Sequence, residues 1–289
     1  EVLVELVGPV LSGMTLELSF DDGEPVMMPV METSMRLKLQ VPEFRLWSPE
    51  QPFLHRLRTR VGGDEREVTF GIREVKAERG QILLNGQPLK LVGYNRHDSH
   101  PQFGAAMPDE LLIADLRMIK GQGCNTIRGC HYPQSEKMLE LCDRLGLLVW
   151  EETLGWGNPV NALMDPGFQA RQLEQARRMV RKSINHPSVI LWGFLNEAET
   201  SVAEALPLIT KLCDAIRSED DSRLVTFGSN RAERDLCLAP VDVISFNTYP
   251  GWYDRNEEQF FEPRVVAERL NSLAEFVTNS PYVDKPLII

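Results

Sequence analysis

Basic charge is scarce in this chain. Lys and Arg number 31 against 42 Asp and Glu, for a formal net charge of −11. A nucleic-acid partner needs a basic surface to meet phosphates, so none is expected. Cysteine is also sparse and oddly numbered. Cys124, Cys130, Cys142, Cys213 and Cys237 contain no Cys-x-x-Cys pair, which argues against a disulfide or zinc framework. They read as buried free thiols of a reducing compartment, so the cytoplasm is the expected location. No basic-then-apolar leader pattern is seen at the start, although the first residue is Glu1 and not Met. No apolar run reaches about 18 residues, so no membrane-spanning helix or membrane partner is expected. Neither a solenoid-type repeat nor a low-complexity tract stands out.

What is present suits a soluble globular protein: 289 residues, 43% apolar and 25% charged, enough for one large α/β domain and a small companion. Residues 1–75 alternate apolar and polar side chains over 1–7, 15–20, 35–41 and 57–61. Period two with turn signals between (Asp21-Asp22-Gly23, Ser48-Pro49, Gly62-Gly63) predicts a small β-sandwich. From residue 76 to 289 apolar strand patterns alternate with helical ones. Strands are expected at 89–95, 125–129, 147–152, 189–197, 224–229, 241–247 and 286–289. Helices are expected at 108–121, 135–145, 165–184, 202–217 and 263–277. The βα order predicts an α/β fold, a (β/α)8 barrel that stops before strand eight. Strands one and seven would then be open apolar edges, and a homo-oligomer is one way to cover them.

Polar residues collect where these strands end, and a parallel barrel gathers its C-terminal strand ends onto one face. Strand one runs into Asn95-Arg96-His97-Asp98, strand two into Arg128 and His131-Tyr132-Pro133, strand three into Glu151-Glu152. Strand four ends in Asn196-Glu197, and strand six in Asn247-Thr248-Tyr249-Pro250-Gly251-Trp252-Tyr253. Alternation lets only one of Glu151 and Glu152 point inward. Two chemistries could use this set. Glycoside hydrolysis needs paired carboxylates, hydrogen-bonding groups for hydroxyls and aromatic faces for sugar rings. Glu197, Asn196, Arg128, His131, Tyr249, Trp252 and Trp156 meet those needs. Metal-assisted hydrolysis through His97, His100 and His131 lacks a His-x-His spacing at a strand end and is disfavoured. Structural roles are expected for His186 (holding a loop), His55 (surface), Trp192 (core) and Trp47 (packing the sandwich).

The succession Asn95-Arg96-His97-Asp98, Arg128 with His131-Tyr132-Pro133, 185–189, then Trp192 with Asn196-Glu197 resembles glycoside hydrolase family 2. Leu46-Trp47-Ser48-Pro49-Glu50 resembles the closing part of that family's immunoglobulin-like domain. The resemblance implies a retaining exo-β-glycosidase acting on a carbohydrate, a β-galactoside or β-glucuronide. Residues 223–227, 241–244 and 247–253 look more like β-glucuronidases, and 95–101 more like β-galactosidases. It implies that Glu197 is the acid/base and that Asn196 meets the sugar 2-hydroxyl. It further implies that His131 and Glu152 bind substrate, that Arg128 and Tyr249 flank the nucleophile, and that Asn95, His97 and Asp98 line the pocket floor. The nucleophile is expected a few residues past the Lys285–Ile289 run, outside the 289 residues, so the chain alone should be inactive. The family's Glu-x-His magnesium element is absent from Glu152-Thr153-Leu154-Gly155-Trp156, and neither metal nor cofactor is expected. The competing expectation is a non-catalytic carbohydrate-binding or assembly protein on a degenerate barrel.

Overall fold

A computed structural model describes residues 2–10, 13–41, 43–250, 252 and 263–289. The N-terminal strands are β1 (Val2–Glu5), β2 (Thr15–Phe20), β3 (Val26–Pro29), β4 (Ser34–Leu37), β5 (His55–Val61) and β6 (Asp64–Phe70). β1 pairs with β4, and the other four form an antiparallel sheet in the order β3-β2-β5-β6. Their inward residues Leu16, Leu18, Val30, Met35 and Leu57 are buried together, as the period-two pattern demands. The alternation had not marked β3 or β6. β6 is an edge strand rich in charge, and its Glu65 and Glu67 face Arg60 and Arg58 across the pair instead of reaching the core. His55, expected on the surface, is buried instead. Its Nδ1 lies 2.8 Å from Asp21 Oδ2, and its ring packs on Phe53 and Phe70.

Three short strands follow: β7 (Val75–Glu78), β8 (Gln81–Leu84) and β9 (Gln87–Leu89), an antiparallel meander. Asn85 and Gly86 both have positive φ (52° and 75°), the backbone of a tight hairpin turn. That turn folds Gln87–Leu89 back onto β8. The strand expected at 89–95 is therefore two elements: β9, and the first barrel strand β10 (Gly93–Arg96). The meander's Val75, Ile82 and Leu84 pack with Leu148, Ile190, Leu191, Leu224 and Val243 at the starts of the barrel strands, plugging the barrel floor.

The barrel continues with α1 (Asp109–Gly121), β11 (Thr126–Gly129), α2 (Glu136–Leu145), β12 (Leu148–Glu152), α3 (Val160–Met164), α4 (Pro166–Ser183) and β13 (Val189–Gly193). Then come α5 (Leu206–Glu219), β14 (Leu224–Thr226), β15 (Gly228–Ser229), β16 (Ile244–Phe246), α6 (Pro263–Thr278) and β17 (Leu287–Ile288). All pairings are parallel, in the orders β10-β11-β12-β13-β14 and β15-β16-β17. β14 and β15 are two pieces of one strand position broken at Phe227, so the two sheets together occupy seven positions of a (β/α)8 ring. Among the described residues β10 pairs only with β11 and β17 only with β16. Helix boundaries follow local chemistry. Ser135 caps α2 by accepting from Met138 N, and Asp165 caps α4 by accepting from Phe168 N, with Pro166 in the first turn. Gly146 ends α2 at φ 68°, and a Cβ there would stand 2.3 Å from Pro49 O, so both the left-handed turn and the sandwich contact require glycine.

The sandwich meets the barrel at this lower end. Trp47, expected to pack the sandwich, is fully buried against the barrel floor and donates Nε1–H to Asp143 O at 2.9 Å. Arg73 donates to Pro187 O (3.1 Å) and Val189 O (2.8 Å). His186 holds its loop as expected, with Nδ1 2.6 Å from Asp143 Oδ2. Trp192 is in the core and donates to Asp220. All five cysteines are buried and unpaired. Among the described residues no helix is long and apolar enough to cross a membrane.

Candidate active site

The opposite rim is built around a buried guanidinium. β11 is covered on both faces, and alternation turns Arg128 into the lumen. Its plane lies over Trp150, with Cζ 4.1 Å from the ring centroid, a cation–π contact. Nε donates to Glu152 Oε1 at 2.7 Å, Nη1 to Asn247 Oδ1 at 3.1 Å and Nη2 to Asn196 Oδ1 at 2.7 Å. Glu152 is the inward carboxylate of the β12 pair. Its second oxygen lies 2.6 Å from His131 Nδ1. Both its oxygens are thus engaged, and its side chain is 1% exposed. Glu151 points the other way, under the helices. Gln134 N donates to it at 3.1 Å, and burial pushes its carboxyl up to about 7.

Asn247, at the end of β16, joins this network to Glu197. Its oxygen accepts from Arg128, and its Nδ2 donates to Asn196 Oδ1 (2.8 Å) and to Glu197 Oε1 (2.7 Å). Arg128 can only donate, which fixes the orientation of both amides. Asn230 Nδ2 reaches the other Glu197 oxygen at 3.2 Å. Gly228 sits beneath this cluster. A Cβ there would lie 2.6 Å from Arg128 Nη2 and 2.8 Å from Asn196 Oδ1, so only glycine admits the close approach.

Asn196 and Glu197 are not strand residues, contrary to the expected run 189–197. β13 ends at Gly193, and Phe194 and Leu195 turn into the core. Leu195 and Glu197 have positive φ (44° and 55°). The backbone is nevertheless pinned on both sides. Asn196 exchanges bonds with the Gly155–Gly157 segment, and Glu197 N donates to Gly228 O at 2.8 Å. This leaves the Glu197 carboxylate half-buried at the rim, held by two neutral amides.

The remaining candidates lie around it at different distances from the network. Asn95 and Tyr249 line a cavity of about 200 Å³ together with Arg128, Trp150 and Asn247. His97 packs edge-on against His131, with centroids 5.6 Å apart. Trp156 lies 6.4 Å from the same ring. Asp98 gives its carboxylate to Arg96 at 3.3 Å. Trp252 is 70% exposed and touches Tyr249 through a backbone bond. Gly251 and Tyr253 lie outside the described residues. Asn230 was missed by the sequence reading, and Asn247 was seen at the rim but not chosen. The only signal for either was an amide just past a strand end. Among the described residues one set of metal-type donors gathers here, His97, Cys130 and His131. Burial pushes the Cys130 thiol up to about 12, and the neutral S–H donates to Arg128 O.

A half-buried carboxylate held by amides, joined through Asn247 to the lining of a small cavity, suits acid/base work on a hydroxylated ligand. The comparisons with known proteins agree in kind. A family model described as "Glycosyl hydrolases family 2, TIM barrel domain" matches residues 75–289, and "Glycosyl hydrolases family 2" matches 17–73. The mouse (Mus musculus) β-glucuronidase is 32% identical over 249 residues, which is 82% of this chain and 38% of that protein. A family 2 β-galacturonidase from Eisenbergiella tayi, solved with galacturonate bound, superposes with TM-score 0.86 at 33% identity. It covers 97% of this chain and 51% of that one. A β-D-glucuronidase structure of Dictyoglomus thermophilum gives 0.82 at 26% identity over 96% of this chain and 49% of that one. The chain thus spans well under two thirds of the length of each of these relatives. With both family models matched in chain order, the chain belongs to glycoside hydrolase family 2.

Proposed function

We propose that this chain carries the acid/base half of a retaining exo-β-glycosidase that removes terminal β-linked uronic acids. The observation that supports it most is the placement of Glu197, whose two oxygens are each held by an amide, from Asn247 and Asn230. In this reading Glu197 gives its proton to the glycosidic oxygen as the C1–O bond breaks and a second carboxylate bonds to C1. Glu197, now ionised, then takes a proton from water, whose oxygen displaces the carboxylate. Asn196 meets the 2-hydroxyl, and His131, Asn95, His97 and Asp98 line the sugar's side of the pocket. Arg128 and Tyr249 stand next to the attacking carboxylate, with Trp252 at the entrance. Glu152 does not attack, because Arg128 and His131 occupy both its oxygens. The nucleophile in this reading is a carboxylate beyond Ile289. The uronide assignment is supported by the names of the relatives, among them the galacturonate-bound β-galacturonidase.

The test is Glu197→Gln in protein extended past Ile289. Turnover of alkyl β-uronides should fall by about 10²–10⁴-fold. Activated aryl β-uronides should retain glycosylation but stall at deglycosylation, and azide, which needs no general base, should restore turnover. Unchanged hydrolysis of the alkyl substrate would remove Glu197 from the role.

A further inference from the structure

We propose that His97, Cys130 and His131 form a binding site for a thiophilic dication of the Zn²⁺ or Cd²⁺ class. One donor atom from each lies within 4.8 Å of the other two. Zn²⁺ holds thiolate sulfur at about 2.3 Å and imidazole nitrogen at about 2.0–2.1 Å, so the three donors need to close by about an ångström. His97, the exposed member of the three, has its ring against those of His131 and Tyr132. The donor set is two nitrogens and one sulfur. That set suits zinc and its softer relatives and disfavours Mg²⁺ and Ca²⁺, which take oxygen.

His131 is already arranged as a ligand. Its Nδ1 sits 2.6 Å from Glu152 Oε2, so its Nε2 edge is the one left to coordinate. A carboxylate behind a ligating imidazole fixes the ring and raises its basicity, the support seen around zinc-bound histidines. Glu152 is itself held by Arg128. The Cys130 S–H donates to Arg128 O at 3.3 Å, and ligation as thiolate releases that proton to solvent. The donors come from two strand ends, after β10 and after β11, which is why no local spacing in the sequence reveals them. Three protein ligands leave a fourth position for water. Occupancy would withdraw His97 and His131 from a sugar, a consequence that rests on the function proposed above; binding itself does not.

The experiment uses the 289-residue chain, freed of metal, with Zn²⁺ and Cd²⁺ as probes. Zn²⁺ is titrated against a chromogenic chelator, and Cd²⁺ is followed by its thiolate charge-transfer absorption. The expected result is one equivalent of each ion and a Cd–thiolate band. Cys130→Ser should abolish the band, and both Cys130→Ser and His97→Ala should weaken Zn²⁺ by about 10- to 100-fold or more. Circular dichroism checks that each variant folds, and His97→Ala, at an exposed loop position, decides the matter should Cys130→Ser misfold. Zn²⁺ affinity unchanged by His97→Ala, a complex without the thiolate band, or no binding at sub-millimolar Zn²⁺ would overturn the proposal.

Discussion

Replacing Glu151 by Gln should make stability at alkaline pH better, not worse. Glu151 lies beneath α2 and α4, fully buried, with Gln134 N on one oxygen. Ser183 lies nearby, yet neither its Oγ nor Glu151 Oε2 has a hydrogen-bond partner of ordinary geometry. Burial is the dominant cause of the rise from 4.5 to about 7, partly opposed by Ser183, the Gln134 N–H, Lys182 and His186. Between those two values the folded protein keeps a proton that the unfolded chain has already released. Stability therefore falls as pH rises through that window, and the loss is complete above about 7. At 1.36 kcal/mol per unit, the rise corresponds to about 3 kcal/mol. Glutamine has the same shape and no charge to desolvate. Its oxygen can keep the Gln134 bond, and its NH2 can donate to Ser183 Oγ. Urea unfolding followed by tryptophan fluorescence from pH 5 to pH 8 measures the difference. Other titrating groups are common to both proteins and cancel. Near pH 5 the two should be within about 1 kcal/mol, and by pH 8 Glu151→Gln should lead by about 3 kcal/mol. A gap that does not change with pH, or one that opens in favour of glutamate at pH 8, would refute the argument.

Gly228→Ala should cost about 1–3 kcal/mol, read by thermal unfolding, because the new methyl meets Arg128 Nη2 at 2.6 Å. Arg128→Met should destabilise by about 3–5 kcal/mol, since it leaves the buried Glu152 carboxylate without its cation. Adding Glu152→Gln to Arg128→Met should recover part of that loss, and strictly additive losses in the double-mutant cycle would mean that the two side chains do not depend on each other.

The barrel was legible because its chemistry is periodic. Helix ends such as Asp165-Pro166 and Leu145-Gly146 carry their own signals, and the structure places α1, α2, α4 and α6 within a residue of the expected spans. The strands were harder where one apolar run serves two purposes. Phe194 and Leu195 look like a continuation of β13, but they leave the sheet for the helix-side core. Leu89 looks like barrel strand, but the Asn85-Gly86 turn commits it to the floor meander. Edge strand β6 hid its pattern behind cross-strand ion pairs. At the rim, Asn196-Glu197 stood out because an amide and an acid interrupt an apolar run. Asn230 and Asn247 did not, since amides past strand ends are ordinary turn residues. Which of Glu151 and Glu152 faced the lumen depended on strand phase, and phase is set by partners distant in sequence.

The orientation of Asn196 has a consequence for whatever ligand comes to rest beside it. Its carbonyl oxygen is claimed twice, by the guanidinium of Arg128 and by the amide of Asn247. Only its amide hydrogens remain to be offered. A ligand oxygen facing it must therefore supply a lone pair, and an analogue with an ammonium group at that position would turn like polarity toward like.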